Sequence, residues 1–157
     1  MQRNMARRRL LILGCSARKH LASGKIRAWD LYDGGTFRVV KRLQREGRFP
    51  TNVDILILSA RHGLIRPTRK IEFYDQRMTP EIAARQAARN RALLRRVLQT
   101  GRYAAVFINA GQAYLAALQP AEAWLCNGVA LRLAEGGIGR KLQRMKQWLT
   151  RLDESSV

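Results

Sequence analysis

Val53-Asp54-Ile55-Leu56-Ile57-Leu58, running straight into Ser59-Ala60-Arg61-His62-Gly63-Leu64-Ile65, is the stretch on which the fold turns. A short, nearly continuous aliphatic run closed by a polar, glycine-bearing segment is the pattern of a strand buried on both faces of a parallel sheet. Leu10 to Leu13 and Ala104 to Ile108 repeat it, and Ala121 to Cys126, after Pro120, is a weaker fourth. Helical spacing fills the intervals. Phe37, Val40, Lys41 and Gln44 share a helix face, with Val39 and Leu43 beside it and Gly47 as a stop. Thr79-Pro80-Glu81 supplies a capping hydroxyl, a first-turn proline and an acid at the positive end of the dipole, which predicts a helix to about Thr100. A short helix from Gln112 to Leu118 follows, and a last one has Ile138, Leu142, Met145, Leu149 and Leu152 as its inner stripe. Such alternation predicts an α/β three-layer sandwich with a central parallel sheet of about four strands. It is one domain over residues 1–157, with a basic flexible head at 1–8 and a tail at 153–157.

The charge narrows the partner. Of 157 residues, 30 are Lys or Arg and 11 are Asp or Glu, a formal net charge of +19. The cations are 24 Arg and only 6 Lys. Arginine's planar fork suits phosphates and base edges, so the expected partner is a polyanion. With 46% hydrophobic residues the chain is a basic globule rather than a disordered tail. No apolar run reaches the ~18 residues of a membrane span. Leu10 to Leu13 after the basic Met1 to Arg9 falls short of the ~7 residues of a secretory h-region, so the expectation is a cytoplasmic protein. Cys15 and Cys126 fit a reduced compartment and lack metal-ligand spacing, so no metal is expected.

Ligands of open parallel sheets bind beyond the carboxyl ends of the strands, where this sequence concentrates its polar, glycine-bearing segments. After the first strand, Gly14-Cys15-Ser16-Ala17-Arg18-Lys19-His20 offers a hydroxyl and backbone amides for a phosphate or sugar oxygen, with Arg18 and Lys19 as neutralising cations; a solvated basic turn is the alternative. After the second, Ser59 and Arg61 precede His62, which can donate to a base carbonyl or serve as a turn residue. After the third, Asn109-Ala110-Gly111-Gln112 carries an amide able to read a base edge or to cap a helix. Asn127-Gly128 follows the weak fourth strand.

Ile71-Glu72-Phe73-Tyr74-Asp75-Gln76-Arg77-Met78 sets two aromatics beside a carboxylate. Tyr74 or Phe73 can stack on an extruded base, and Asp75 can activate water or balance an oxocarbenium-like sugar. The simpler alternative packs Phe73 into the core and pairs Asp75 with an arginine. Trp29-Asp30-Leu31-Tyr32-Asp33-Gly34-Gly35 holds a second candidate carboxylate, Asp30, and a second candidate stacking ring, Tyr32. Glu135-Gly136-Gly137-Ile138-Gly139-Arg140-Lys141 opens the last helix with glycines and cations, where a phosphate fits. Arg85, Arg89, Arg95 and Arg96 give the long helix an arginine face suited to tracking a phosphate backbone or simply to solvation.

The series Gly14-Cys15-Ser16-Ala17-Arg18-Lys19, Asp30-Leu31-Tyr32-Asp33-Gly34, Ile57-Leu58-Ser59-Ala60-Arg61-His62-Gly63-Leu64-Ile65, Tyr74-Asp75 and Gly137-Ile138-Gly139 resembles an outlying branch of the uracil-DNA glycosylase superfamily. That branch comprises small bacterial and phage domains, including phage-defence glycosylases that act on glucosylated hydroxymethylcytosine. The resemblance spans about Leu10 to Leu149 and implies a uracil-DNA-glycosylase-like sandwich. The usual Gly-Gln-Asp-Pro-Tyr-type and His-Pro-Ser-type loops are absent, and the first strand's loop has no acid.

The resulting expectation is a monofunctional DNA glycosylase, acting as a monomer without a cofactor. It hydrolyses the N-glycosidic bond of an extruded modified base of phage DNA and leaves an abasic site. Asp75, His62 and Asn109 are the expected catalytic residues, and Ser16, Lys19, Asp30, Tyr32, Ser59, Tyr74 and Gly111 bind the substrate. Arg18, Arg61, Arg77, Gly137, Arg140 and Lys141 hold DNA phosphates. The alternatives are a non-catalytic nucleic-acid-binding module, RNA-directed among others, and a nucleoside-level hydrolase or base-exchange enzyme, which +19 disfavours.

Overall fold

The computed structural model describes residues 7–15, 18–100, 102–119 and 128–150. Its centre is a five-stranded sheet in the order β4-β3-β1-β6-β7, with β1 (Arg8–Gly14), β3 (Val53–Ser59), β4 (Gly63–Ile65), β6 (Tyr103–Asn109) and β7 (Ala130–Leu133). β1 runs parallel to β3 and β6, and β6 parallel to β7, giving the expected four parallel strands. The fifth strand was not anticipated. Gly63-Leu64-Ile65 turns back antiparallel on Ile57 to Ser59, so the second-strand motif is a hairpin rather than a strand with a loop. The predicted fourth strand, Ala121 to Cys126, lies outside the described residues, and the fourth parallel strand is Ala130–Leu133.

A small antiparallel pair, β2 (Ile26–Arg27) and β5 (Lys70–Ile71), leads into the short α1 (Ala28–Leu31). Helix α2 (Gly35–Arg45) buries Phe37, Val40 and Leu43, while Gln44 is exposed; Gly47, at φ 67°, follows its end. Helix α3 (Pro80–Leu98) starts where its cap was read: the Thr79 hydroxyl accepts the Ile82 N–H at 3.2 Å. α4 (Gln112–Leu115) tightens into a 3₁₀ turn, Ala116–Leu118, and α5 (Ile138–Thr150) closes the described chain. The connection from β1 to β3 moves one way along the sheet and that from β3 to β6 moves the other. Right-handed crossovers then put α2 and α3 on opposite faces, the three-layer arrangement.

Leu10 to Leu13, Leu31, Phe37, Val40, Ile57, Leu58, Leu94, Val106 and Ile108 are almost completely buried in one continuous core. α5 packs on it with Met145 and Leu149, but Ile138, expected on the same stripe, is 81% exposed. Its first turn sits beyond the tip of β6, where Lys141 reaches the Ala110 carbonyl. Arg8, assigned to a flexible head, is the first residue of β1 and grips Asp54 through Nε at 2.8 Å and Nη2 at 2.6 Å. Arg9 is buried; its guanidinium lies 4.5 Å over the Trp148 ring and donates to the Trp148 carbonyl at 2.9 Å.

Candidate functional site

The strand order reverses at β1, so the crevice of this architecture opens beyond the tips of β1 and β6. Its base is tight: a Cβ on Gly14 would stand 2.9 Å from the Ala110 Cβ. Above it, five side chains from different elements meet. The Tyr32 and Tyr74 hydroxyls are 2.6 Å apart, and the Ser59 Oγ lies 2.8 Å from that of Tyr74 and 3.2 Å from that of Tyr32. The Tyr74 hydroxyl donates to Cys15 Sγ at 3.5 Å, and Cys15 donates to the Tyr114 hydroxyl at 3.2 Å. Ser59 Oγ also accepts the N–H groups of Arg61 and His62, which shapes the hairpin turn. Burial pushes the Tyr32 phenol up to about 12 and drives Tyr74 and Tyr114 up as well, with the nearby Cys15 adding to each. All three are neutral donors throughout the physiological range. Lys19 covers the cluster, its Nζ 4.5 Å above the Tyr74 ring and 6.0 Å from that of Tyr32.

This geometry corrects the stacking assignment. Tyr32 and Tyr74 are 0% and 3% exposed and meet edge to face at 6.4 Å, so neither offers a ring face to a base. Along the strap, burial alternates from Phe73 to Met78: Tyr74 and Met78 are buried and Gln76 half-buried, while Phe73, Asp75 and Arg77 are exposed, as is Glu72 before them. Phe73, which packing alone would have sent inward, is the exposed aromatic at 39%. Gln76 donates to the Ala60 carbonyl at 3.1 Å and pins the strap to the β3–β4 turn. Asp75 therefore stands between an open ring and a cation, with no ion pair to it among the described residues.

Beside the strap runs a cationic groove. Arg61, Gln76, Arg85, Gln86 and Arg89 line about 350 Å³ of it, and Arg61, His62, Arg69, Arg89 and Asn90 line a further 260 Å³. Two polar residues in the buried stripe of α3 hold its wall. Gln86 donates to the carbonyls of Ser59 and Ala60 at 3.2 and 2.7 Å, and Asn90 accepts the Leu64 N–H at 3.0 Å. His62 is half-buried, edge-on to Tyr74 at 5.8 Å. Burial first, then Arg69, Arg61 and Arg89, hold its pKa below the ordinary value, so it faces the groove as a neutral imidazole.

Other expected site residues lie elsewhere. Asn109 is 6% exposed, its amide against Met145 Sδ at 3.6 Å, too enclosed to read a base edge. Asp30 pairs with Arg27 at 2.8 Å and lines a separate groove with His20 and Lys41. The acid beside the first loop is instead Asp33, held at about 2 by Arg38, with His20 at 3.5 Å and Arg18 at 3.9 Å. It is already neutralised by its neighbours. Gly111 precedes α4 and accepts from Tyr114 and Leu115. Lys141 donates to the Ala110 carbonyl at 3.2 Å, which brings Gly137, Arg140 and the start of α5 to the β6 end of the rim. Ser16 lies outside the described residues. Cys15, Gln86 and Asn90 escaped the sequence reading as site residues, though polar residues at Gln86 and Asn90 within the Ala83, Leu94, Leu98 stripe were a visible anomaly. Among the described residues no three of His, Cys, Asp and Glu cluster as metal ligands, and no helix is long and apolar enough to cross a membrane.

Fold and site together define an α/β sandwich with a cationic rim at its strand tips. Residues 10–147 match the model of DUF6884, a family of unknown function, and the chain belongs to that family. No curated protein matches the sequence. The crystal structure of AF0587, a protein of unknown function, is similar at a TM-score of 0.50 and 15% identity over 90% of this chain. The chain spans 44% of that protein, and the likeness is one of fold.

Proposed function

We propose that this protein is a glycosylase with a uracil-DNA-glycosylase-like fold, which hydrolyses the N-glycosidic bond of a nucleotide extruded from DNA in the cytoplasm. The observation that carries the reading is the strap: Phe73, Asp75 and Arg77 point outward together, beside a groove whose open charges are arginines. Arg61, Arg85 and Arg89 bind phosphates, and Phe73 stacks on a base, which offsets the few kcal/mol of extrusion. The C1′–N bond breaks with its electron pair going to the base. Asp75 balances the oxocarbenium character of the sugar and takes the proton of the attacking water. Neutral His62 donates a hydrogen bond to the leaving base. The sequence resemblance favours a modified base of phage DNA as substrate.

The test is mass spectrometry of bases released from unmodified and glucosylated phage DNA, with alkaline cleavage to reveal abasic sites. Release that falls by about 100-fold or more in Asp75→Asn supports the assignment; undiminished release overturns it. A non-catalytic nucleic-acid module is the second reading. It is favoured by the buried tyrosine, serine and cysteine cluster, which fills the crevice where a base pocket would lie. DNA binding without base release on any substrate would establish it.

A further inference from the structure

The sheet has an incomplete edge far from the strap. Arg9 N–H donates to the Asn52 carbonyl and Cys15 N–H to that of Leu58, both at 2.9 Å. Even-numbered residues of β3 therefore aim N–H and C=O at β1, and odd-numbered ones aim them the other way. On that other side β4 covers only Ile57 to Ser59. After Ile65 the chain leaves the sheet: Pro67 and Arg69 give their carbonyls to Trp29 and Ala28 instead. Val53 and Ile55 are left with outward amides and carbonyls that, among the described residues, meet no hydrogen-bond partner. Beside them is a cavity of about 500 Å³. Trp29 and Phe49 wall it from the α1–α2 side and Val97 from α3, so it straddles the sheet where a further strand would lie. Among the described lining residues the one acid, Asp54, is gripped by Arg8 and by the Tyr103 hydroxyl at 2.7 Å and also feels Arg102, so with Arg66 the lining keeps a cationic excess.

We propose that the uncovered half of β3 is a docking edge for an extended acidic segment of a partner protein, added to the sheet as a further strand. The backbone of Ile55, half-buried where Val53 is buried, supplies the pairing. Apolar side chains of the segment enter between Trp29, Phe49 and Val97, and its carboxylates meet Arg66 and Arg102. Nucleic acid satisfies the two arginines but offers no backbone to Ile55. This inference does not depend on the proposed catalytic activity.

The probe is a fluorescein-labelled seven-residue peptide alternating aspartate and valine, titrated by anisotropy, with amide hydrogen exchange read at Ile55 by NMR. The Ile55 amide is expected to become protected on binding. N-methylation of the central valine, which leaves the protein untouched, and the surface reversals Arg66→Glu and Arg102→Glu are each expected to weaken binding about tenfold. An Ile55 amide that stays unprotected at peptide saturation overturns the proposal, as does equal binding of the N-methylated peptide. The same protection induced by a duplex oligonucleotide, or by raising the protein concentration without peptide, assigns the edge to nucleic acid or to a second copy and equally overturns it.

Discussion

Gly63→Ala is expected to destabilise the protein by about 2–5 kcal/mol, and the structure supplies each part of that sum. Gly63 has φ 71°, the left-handed region, which costs an L-residue roughly 1–2 kcal/mol. An added Cβ would stand 2.5 Å from Asn90 Oδ1. Asn90 cannot step aside cheaply: it is 1% exposed, its oxygen accepts Leu64 N–H, and its amide nitrogen donates to Gln86 and Ala117. Displacing it orphans a buried N–H in the hairpin, at about 1–3 kcal/mol, and strains two further bonds. Urea denaturation followed by circular dichroism should show a lower midpoint at unchanged slope, with the melting temperature falling by roughly 4–20 °C. Pairing Gly63→Ala with Asn90→Ala removes the collision, so the double variant should lose less than the sum of the two single ones. A loss under about 1 kcal/mol, or strict additivity, would refute the claim that contact with Asn90 requires glycine here.

Ser59→Ala strips an acceptor from two backbone N–H groups and a partner from two buried phenols, and should cost about 2–4 kcal/mol by the same denaturation assay. His62 has a folded pKa below the ordinary 6.5, so its contribution to stability is present above that value and is lost as pH falls below it; His62→Gln should flatten the stability profile between pH 7 and 5. A profile unchanged by the substitution would contradict the burial of the imidazole. Binding of duplex DNA should weaken steeply with salt. Arg61→Ala, Arg85→Ala and Arg89→Ala should each lower the log-log slope by about 1; slopes equal to that of the parent would remove the groove from the phosphate footprint.

Phe73 and Tyr74 show where sequence reading stops. The segment announces an extended strap carrying aromatics beside an acid. Extended residues alternate sides, however, and either parity buries one ring and exposes the other. The choice was made at long range, by Gln76 reaching Ala60 and by the hydroxyls of Ser59 and Tyr32 meeting that of Tyr74. Asn109 is a similar case: its place at a strand tip is legible, whereas its closure against Met145 depends on where a helix 36 residues later comes to rest.

Aliphatic runs, caps and arginine excess lie within a few residues of one another, and so the chain alone determined the three parallel strands β1, β3 and β6, the start of α3 at Thr79, the cationic character and the strand tips as the place to look. Tertiary structure decided the β4 hairpin, the buried union of Cys15, Tyr32, Ser59, Tyr74 and Tyr114, and the company of Arg61 with Arg85 and Arg89. Each of these joins residues distant in sequence, through bonds whose partners no local period of 2 or 3.6 specifies.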